Sequence, residues 1–320
     1  MTHYKKIAFI FPGQGAQYVG MGKDFVDNFP IARETFAEAD DILGRKLSKI
    51  ILEGPEALLT ETKNSQVGIF VNSVAILRVL QTLIPGLSPH FCAGLSLGEY
   101  TALFASQRIS FADDLKLVQY RGQCMNDACE TTQGTMAVVL GLDADAVEKA
   151  VKEVNLPNDL WAANFNCPGQ VVISGTTKGI QAGTTALQAK GAKRVLPLQV
   201  HGAFHSGLMH SAEVRLAEQI NHVSLKDSAI ALIMNVTGKS ASSTEEIRHN
   251  LIKQVTSPVR WEQCVRHIAD QGADLFIEIG CAKTLAGFNK RIGVTAPTVS
   301  VDKIQDLEAL EQTLSQGAPK

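Results

Sequence analysis

The chain has 320 residues, 45% of them hydrophobic, enough to bury a substantial core in one large domain or two smaller ones. Its 30 basic and 32 acidic residues nearly cancel, and no long run of one sign occurs, which argues against nucleic acid or a membrane surface as a partner. Six scattered cysteines (Cys92, Cys124, Cys129, Cys167, Cys264, Cys281) include no C-x-x-C pair, so neither a disulfide framework nor a zinc site is supported, and a reducing compartment suits them.

Lys6–Phe11 reads as a first core strand. It begins so early that it leaves no room for a signal or transit peptide, and no apolar stretch is expected to have the length to span a bilayer. The cytoplasm is the expected location. A helix over 31–43 closed by Gly44 follows, then a helix over Val67–Leu83 closed by Pro85-Gly86. The short apolar run His90-Phe91-Cys92-Ala93 leads into Gly94-Leu95-Ser96-Leu97-Gly98, the pattern of a nucleophilic serine on a strand-to-helix turn. The backbone turns sharply at Ser96, and the flanking glycines let strand and helix pass where a Cβ would collide. The amide of Leu97, first in the next helix, has no partner within it and supplies half of an oxyanion hole. The pattern alone also describes a glycine-bracketed turn with an idle serine.

Ser110-Phe111-Ala112-Asp113 resembles a capping box. It opens a helix with the apolar stripe Leu115, Val118, Gly122 and Met125, and Arg121 falls on the edge of that stripe, a cation looking into the interior. Thr135–Leu140 (strand), Ala144–Val154 (helix), Leu160–Phe165 and Gln170–Ser174 (strands), Thr177–Lys190 (helix) and Lys193–Leu198 (strand) then spell β-α-β-β-α-β, the ferredoxin-like order. Residues 128–199 are therefore expected to be a compact ferredoxin-like subdomain inserted into a large α/β domain made of 1–127 and 200–320. The α/β pattern resumes with strand Ile230–Val236, a helix near Glu245–Val255, strand Leu275–Gly280, a helix from Thr284, strand Pro297–Val301 and a helix near Leu307–Leu314.

His201-Gly202-Ala203-Phe204-His205-Ser206 lies where the chain returns to the large domain. An imidazole there, from His201 or His205, supplies the base that a serine needs at neutral pH. The glycine-rich loop Phe11-Pro12-Gly13-Gln14-Gly15-Ala16-Gln17 is not a dinucleotide site. The third glycine of G-x-G-x-x-G would fall at Tyr18, and no Walker lysine is present. Its two glycines instead free the Gln14 amide to approach a substrate as the second oxyanion donor.

Taken together, Phe11–Gln17, Gly94–Glu99, Tyr120-Arg121-Gly122, Asn164–Gln170 and Ala203–Ser206 closely resemble the malonyl-CoA:acyl-carrier-protein transacylase family. The likeness continues through Gln254, Ser257-Pro258-Val259-Arg260-Trp261, Glu278-Ile279-Gly280 and Lys290-Arg291-Ile292. The resemblance implies an α/β-hydrolase-like large domain with a ferredoxin-like insertion. It also implies a nucleophile at Ser96, a base at His205, a malonate-binding arginine at Arg121 and oxyanion amides at Gln14 and Leu97. A main-chain carbonyl at Gln254 would orient the histidine in place of a triad aspartate, and Asn164 would line the gorge between the subdomains. Phe204 beside the base matches the malonyl-selecting version of the motif.

The implied reaction moves a malonyl group from malonyl-CoA to the phosphopantetheine thiol of acyl carrier protein through a malonyl-serine ester, for fatty acid synthesis. It needs no cofactor or metal, and the family is usually monomeric. Two positions depart from the family pattern: Leu95 stands where histidine is usual, and Gly280-Cys281-Ala282 replaces a Gly-Pro-Gly turn. The Leu95 side chain is expected to point away from the substrate. Three other readings compete: a malonyl transferase serving a polyketide carrier protein, a serine esterase or thioesterase, and an inert carrier-protein-binding module.

Overall fold

The computed structural model describes residues 4–200 and 202–316, so His201 lies outside the described residues. Ten strands form two sheets: β1 (Ile7–Phe11), β2 (Phe91–Gly94), β3 (Thr135–Leu140), β4 (Leu160–Cys167), β5 (Gln170–Gly175), β6 (Arg194–Pro197), β7 (Ala231–Met234), β8 (Lys239–Ser240), β9 (Leu275–Ile279) and β10 (Thr298–Val301). The large sheet has the order β10-β9-β1-β2-β7-β8. It is parallel except for the β7–β8 hairpin at one edge. β1, β2 and β9 are buried along their whole lengths, as expected of central parallel strands covered by helices on both faces. The small sheet, β4-β5-β3-β6, is antiparallel throughout and carries the helices Ala144–Val154 and Thr177–Ala189. Mixed α/β architecture with two sheets is thus observed, in the element order that the pattern predicts.

A backbone bridge ties the small sheet to the segment that follows the 3-10 turn of the large domain. Phe165 N–H donates to the Val259 carbonyl at 2.9 Å, and Val259 N–H donates to the Ala163 carbonyl at 2.8 Å. Arg260 stacks over the Phe165 ring beside this bridge, 4–6 Å being the range of a cation–π contact, and its guanidinium carbon lies 5.4 Å from the ring centroid.

Several boundaries differ from the expected ones. The helix expected over Val67–Leu83 begins at Thr62, because Asn64, Ser65 and Gln66 are buried despite their polarity. It is long and apolar enough by length and composition to cross a bilayer, contrary to the expectation that no such stretch exists. However, 78% of its most apolar window is buried inside the protein, so here it is the central core helix. The helix His210–His222 and the short edge strand β8 were not among the expected elements. The helix is amphipathic in the ordinary way, burying Ala212, Leu216 and Ile220 at intervals of four. The α-helix expected to run to Val255 ends at Lys253 and gives way to a 3-10 turn, Gln254–Thr256. Ala282, at the Gly-Cys-Ala turn, has φ 66°, a left-handed conformation that costs a non-glycine residue roughly 1–2 kcal/mol.

The turn at Ser96 is set by the close passage of backbone past backbone. A Cβ built on Gly94 would lie 1.9 Å from the Gly98 carbonyl, and one on Gly98 would lie 2.2 Å from the Phe11 carbonyl oxygen. The helix Gly98–Ala105 therefore packs directly across the ends of β1 and β2. Gly98→Ala is expected to destabilise the protein by about 1–3 kcal/mol or more in urea unfolding, since backbone has to shift to admit the methyl group. Gly287→Ala, in the helix Thr284–Ile292 where a Cβ meets nothing within 4 Å, should be neutral or stabilising by up to ~1 kcal/mol. Equal effects at the two positions would show that the close passage does not constrain the turn.

Candidate active site

Ser96 ends the turn with φ 52°, a left-handed conformation imposed on a residue with a Cβ. Asn235, just past β7 and fully buried, braces both sides of it. Its Oδ1 accepts the Ser96 N–H at 2.7 Å, and its Nδ2 donates to the Gly94 carbonyl at 2.8 Å. The strain at Ser96 is thus held by a side chain from the neighbouring strand.

His205 Nε2 lies 2.8 Å from Ser96 Oγ, and its Nδ1 lies 2.8 Å from the main-chain oxygen of Gln254. A carbonyl oxygen only accepts, so Nδ1 carries the hydrogen and Nε2 presents its lone pair to the serine hydroxyl. The 3-10 turn matters here, because beyond the last α-helical residue the Gln254 carbonyl accepts only a long hydrogen bond from the Ser257 N–H, at 3.3 Å, and keeps a lone pair for the imidazole. Burial lowers the His205 pKa to about 4, with the nearby Arg121 charge adding to the shift. The main-chain groups of Gln254 and Ser257 oppose it. The imidazole is neutral at pH 7 and available as a base.

Arg121, expected at the edge of its helix stripe, is fully buried. Nη1 donates to Gln66 Oε1, while Nη2 donates to Gln254 Oε1 at 2.8 Å and to Ser96 Oγ at 3.1 Å. Its guanidinium lies over the Tyr100 ring, 5.2 Å from the centroid, and its Nε has no hydrogen-bond partner. Each acceptor touching this cation is uncharged. Burial lowers its pKa, but a guanidinium stays protonated under any ordinary condition.

Glu99 is the charged group that completes the buried cluster. Its two carboxyl oxygens accept the Asn235 N–H and the Gln254 side-chain amide, the latter at 2.9 Å. Burial raises its pKa well above the ordinary carboxylate range, offset in part by the Asn235 N–H, the Arg121 charge and the Gln254 amide. The two N–H donors, one on each oxygen, favour the ionised form and oppose the effect of burial.

In front of these groups lies a cavity of about 770 Å³ between the two sheets, with Ser96 and His205 at its floor and Asn164, Asn166, Pro197 and Phe204 on its walls. Asn164 and Asn166 belong to β4, which runs to Cys167 with register shifts around both residues, beyond the expected end at Phe165. Gln14 lines the cavity, and its side chain joins Thr62 and Gln66. Among the described residues none accepts the main-chain N–H of Gln14 or of Leu97. Leu95 also borders the cavity, and its side chain packs against the core cluster that contains Ala8, Ile10 and Ala93.

The structure therefore brings Ser96, His205, Arg121, Gln254, Gln14, Leu97 and Asn164 into one region. Sequence reasoning missed Gln66, Asn235, Asn166 and the part played by Glu99. The signals were polar residues in apolar surroundings: Gln66 in a core helix, Glu99 before Tyr100-Thr101-Ala102-Leu103, and Asn235 at the carboxyl end of a parallel strand, where sites form.

Comparison with known proteins adds three findings. The Acyl transferase domain family matches residues 8–295. The malonyl CoA-acyl carrier protein transacylase of Bacillus subtilis is 41% identical over 312 residues, covering 97% of this chain and 98% of that one. Two solved structures superpose with a TM-score of 0.91 at 38% identity. One, from Vibrio cholerae, is an acyl carrier protein S-malonyltransferase and covers 96% of this chain and 100% of its own. The other is a malonyl-transacylase in complex with its type II PKS acyl-carrier protein and covers 97% of this chain and 100% of its own.

The burial of His205 makes a direct prediction. In NMR titration its ring should stay neutral from pH 8 down to about pH 5 and protonate near pH 4. A midpoint near the ordinary ~6.5 would show that the ring is solvated.

Proposed function

The chain belongs to the malonyl-CoA:acyl-carrier-protein transacylase family and is an acyltransferase; from that premise we propose that it moves malonyl groups from malonyl-CoA to acyl carrier protein through a covalent ester on Ser96. The observation that carries the substrate choice is Arg121, a buried guanidinium with no carboxylate in contact, hydrogen-bonded to the nucleophile oxygen itself. A malonyl group on Ser96 brings a carboxylate to that cation. Nη2, now engaged with Ser96 Oγ, and the unpartnered Nε offer it donors, and charge-assisted bonds of this kind are about twice as strong as neutral ones. An acetyl group brings nothing to pair.

In the first half-reaction His205 Nε2 takes the Ser96 hydroxyl proton as the oxygen attacks the thioester carbonyl. The N–H groups of Gln14 and Leu97 are assigned to the oxyanion, which supports charge where it develops. The histidinium returns its proton to the departing CoA sulfur. In the second half-reaction the same imidazole deprotonates the phosphopantetheine thiol, which attacks the malonyl ester and regenerates Ser96. The Gln254 carbonyl keeps Nδ1 protonated through both steps and so preserves the useful tautomer. The cavity between the sheets, walled by Asn164 on one side and Gln14 on the other, has room for the pantetheine arm common to both substrates. The large sheet with its serine on a strand-to-helix turn is read as α/β-hydrolase-like and the small sheet as ferredoxin-like. A cytoplasmic, monomeric protein serving fatty acid synthesis fits this reading. A serine hydrolase of neutral esters gains nothing from an uncompensated guanidinium at the nucleophile.

Two outcomes follow. Malonyl-CoA without carrier protein should add one malonyl group to the protein in intact mass spectrometry, and holo-acyl carrier protein should discharge it. Ser96→Ala should abolish the adduct; one that persists places the nucleophile elsewhere. Arg121→Ala should cut kcat/KM for malonyl-CoA by roughly 30-fold to several thousand-fold, the cost of stranding a desolvated charge, while acetyl-CoA falls far less or rises. An unchanged ratio of the two substrates would remove Arg121 from acyl-group selection.

A further inference from the structure

The side-chain amide of Gln254 stands between the Arg121 guanidinium and the Glu99 carboxyl group and has only one orientation that satisfies its surroundings. Its Oε1 accepts from Arg121 Nη2 at 2.8 Å, and its Nε2 donates to the Ser96 carbonyl at 2.9 Å and to Glu99 Oε1 at 2.9 Å. Rotated by half a turn, the amide would set an NH2 against the guanidinium, donor to donor. It would also set a carbonyl oxygen against both the Ser96 carbonyl and the Glu99 carboxylate, acceptor to acceptor. The Ser96 carbonyl is a fixed part of the nucleophile turn. Glu99 supplies the second acceptor, and its other oxygen is tied to the Asn235 main chain, so it cannot turn aside without leaving that N–H unpaired. Glu99 is completely buried, and water does not reach it to relax the arrangement.

From this relay, and resting on the functional reading above, we infer that Glu99 is a positioning residue that sets acyl-group selection. By accepting from Gln254 it fixes the amide oxygen toward Arg121, and so holds the guanidinium against Ser96, where the carboxylate of a malonyl group arrives. Glu99 touches neither the nucleophile oxygen nor the cation directly, since its hydrogen bonds go to Asn235 and Gln254. An amide relay lets the cation be positioned by a carboxylate without being neutralised through contact with it. A carboxylate placed directly on Arg121 would compete with the substrate's own.

Glu99→Gln tests this. A glutamine at position 99 has one oxygen for two N–H donors; if the Asn235 main chain keeps it, an NH2 faces Gln254 and favours the flipped amide. Single-turnover acylation of Ser96 by malonyl-CoA and by acetyl-CoA is measured for the wild type, Glu99→Gln, Arg121→Ala and the double variant. Glu99→Gln is expected to lower the malonyl-to-acetyl ratio of kcat/KM by about tenfold to a hundredfold, the range of one lost hydrogen bond to a charged group, chiefly through a raised malonyl-CoA KM. The ratio in the double variant should equal that of Arg121→Ala alone, because Glu99 acts through the arginine.

An equal fall for both substrates, or effects that multiply in the double variant, would overturn the inference by showing that Glu99 only supports the turn. Should Glu99→Gln not fold, Glu99→Asp carries the test. It keeps the charge but withdraws it by one methylene from the amide, so the ratio should fall by roughly threefold or more, and an unchanged ratio overturns the inference. A wild-type ratio near one would sink the functional reading and this inference together. A clear wild-type preference that Glu99→Gln leaves intact sinks this inference alone.

Discussion

The guanidinium of Arg121, sealed from water behind Ser96, is the charge around which this site is arranged. A buried cation is costly unless its donors are met, and here Nη1 and Nη2 meet oxygens that carry no net charge, the amide oxygens of Gln66 and Gln254 and the Ser96 hydroxyl, while Nε is left over for a ligand. The cation is thus stabilised without being quenched. Gln66 reaches it because the core helix begins five residues earlier than its apolar pattern suggests. Gln254 reaches it because a 3-10 turn ends its helix at the right residue.

The same turn gives Gln254 two separate tasks. Its main-chain oxygen holds the imidazole of His205, and its side chain holds Arg121 and the Ser96 carbonyl. His205, Ser96 and Arg121 are therefore all tied to one residue, which couples their relative placement. An orienting carbonyl in place of an aspartate has an electrostatic consequence as well. Among the described residues no anion hydrogen-bonds His205 to raise its basicity, and burial and the adjacent Arg121 charge depress it, so the imidazole stays neutral across the physiological range.

The nucleophile turn illustrates how backbone packing precedes chemistry. Gly94 and Gly98 allow the helix to cross the strand ends at a distance that no side chain tolerates, and this forces Ser96 into a left-handed conformation braced by Asn235. The small sheet then closes the cavity from the other side, latched through Val259 to the segment that follows the 3-10 turn. The cavity depends on both parts of the fold: the large domain contributes Ser96 and His205, and the small sheet contributes Asn164 and Asn166 to the lining.

Local chemistry by itself determined much of this protein. The glycine pair around Ser96, the strand-to-helix turn, the β-α-β-β-α-β order and the inward face of the Arg121 helix follow from sterics and periodicity, which act over a few residues and are written in neighbouring positions. Which histidine meets the serine rested on family resemblance, and the geometry brings His205 to it. Only tertiary structure decided the rest. Gln66, Asn235 and Glu99 lie far from one another in the chain; Gln66 looks locally like the end of a polar run ahead of an apolar helix, and Asn235 and Glu99 like single polar residues beside apolar ones. Their roles depend on which donor faces which acceptor once water has been removed. Sequence periodicity reports which face of an element is buried, while the pairing of buried polar groups is settled only when distant elements close on one another.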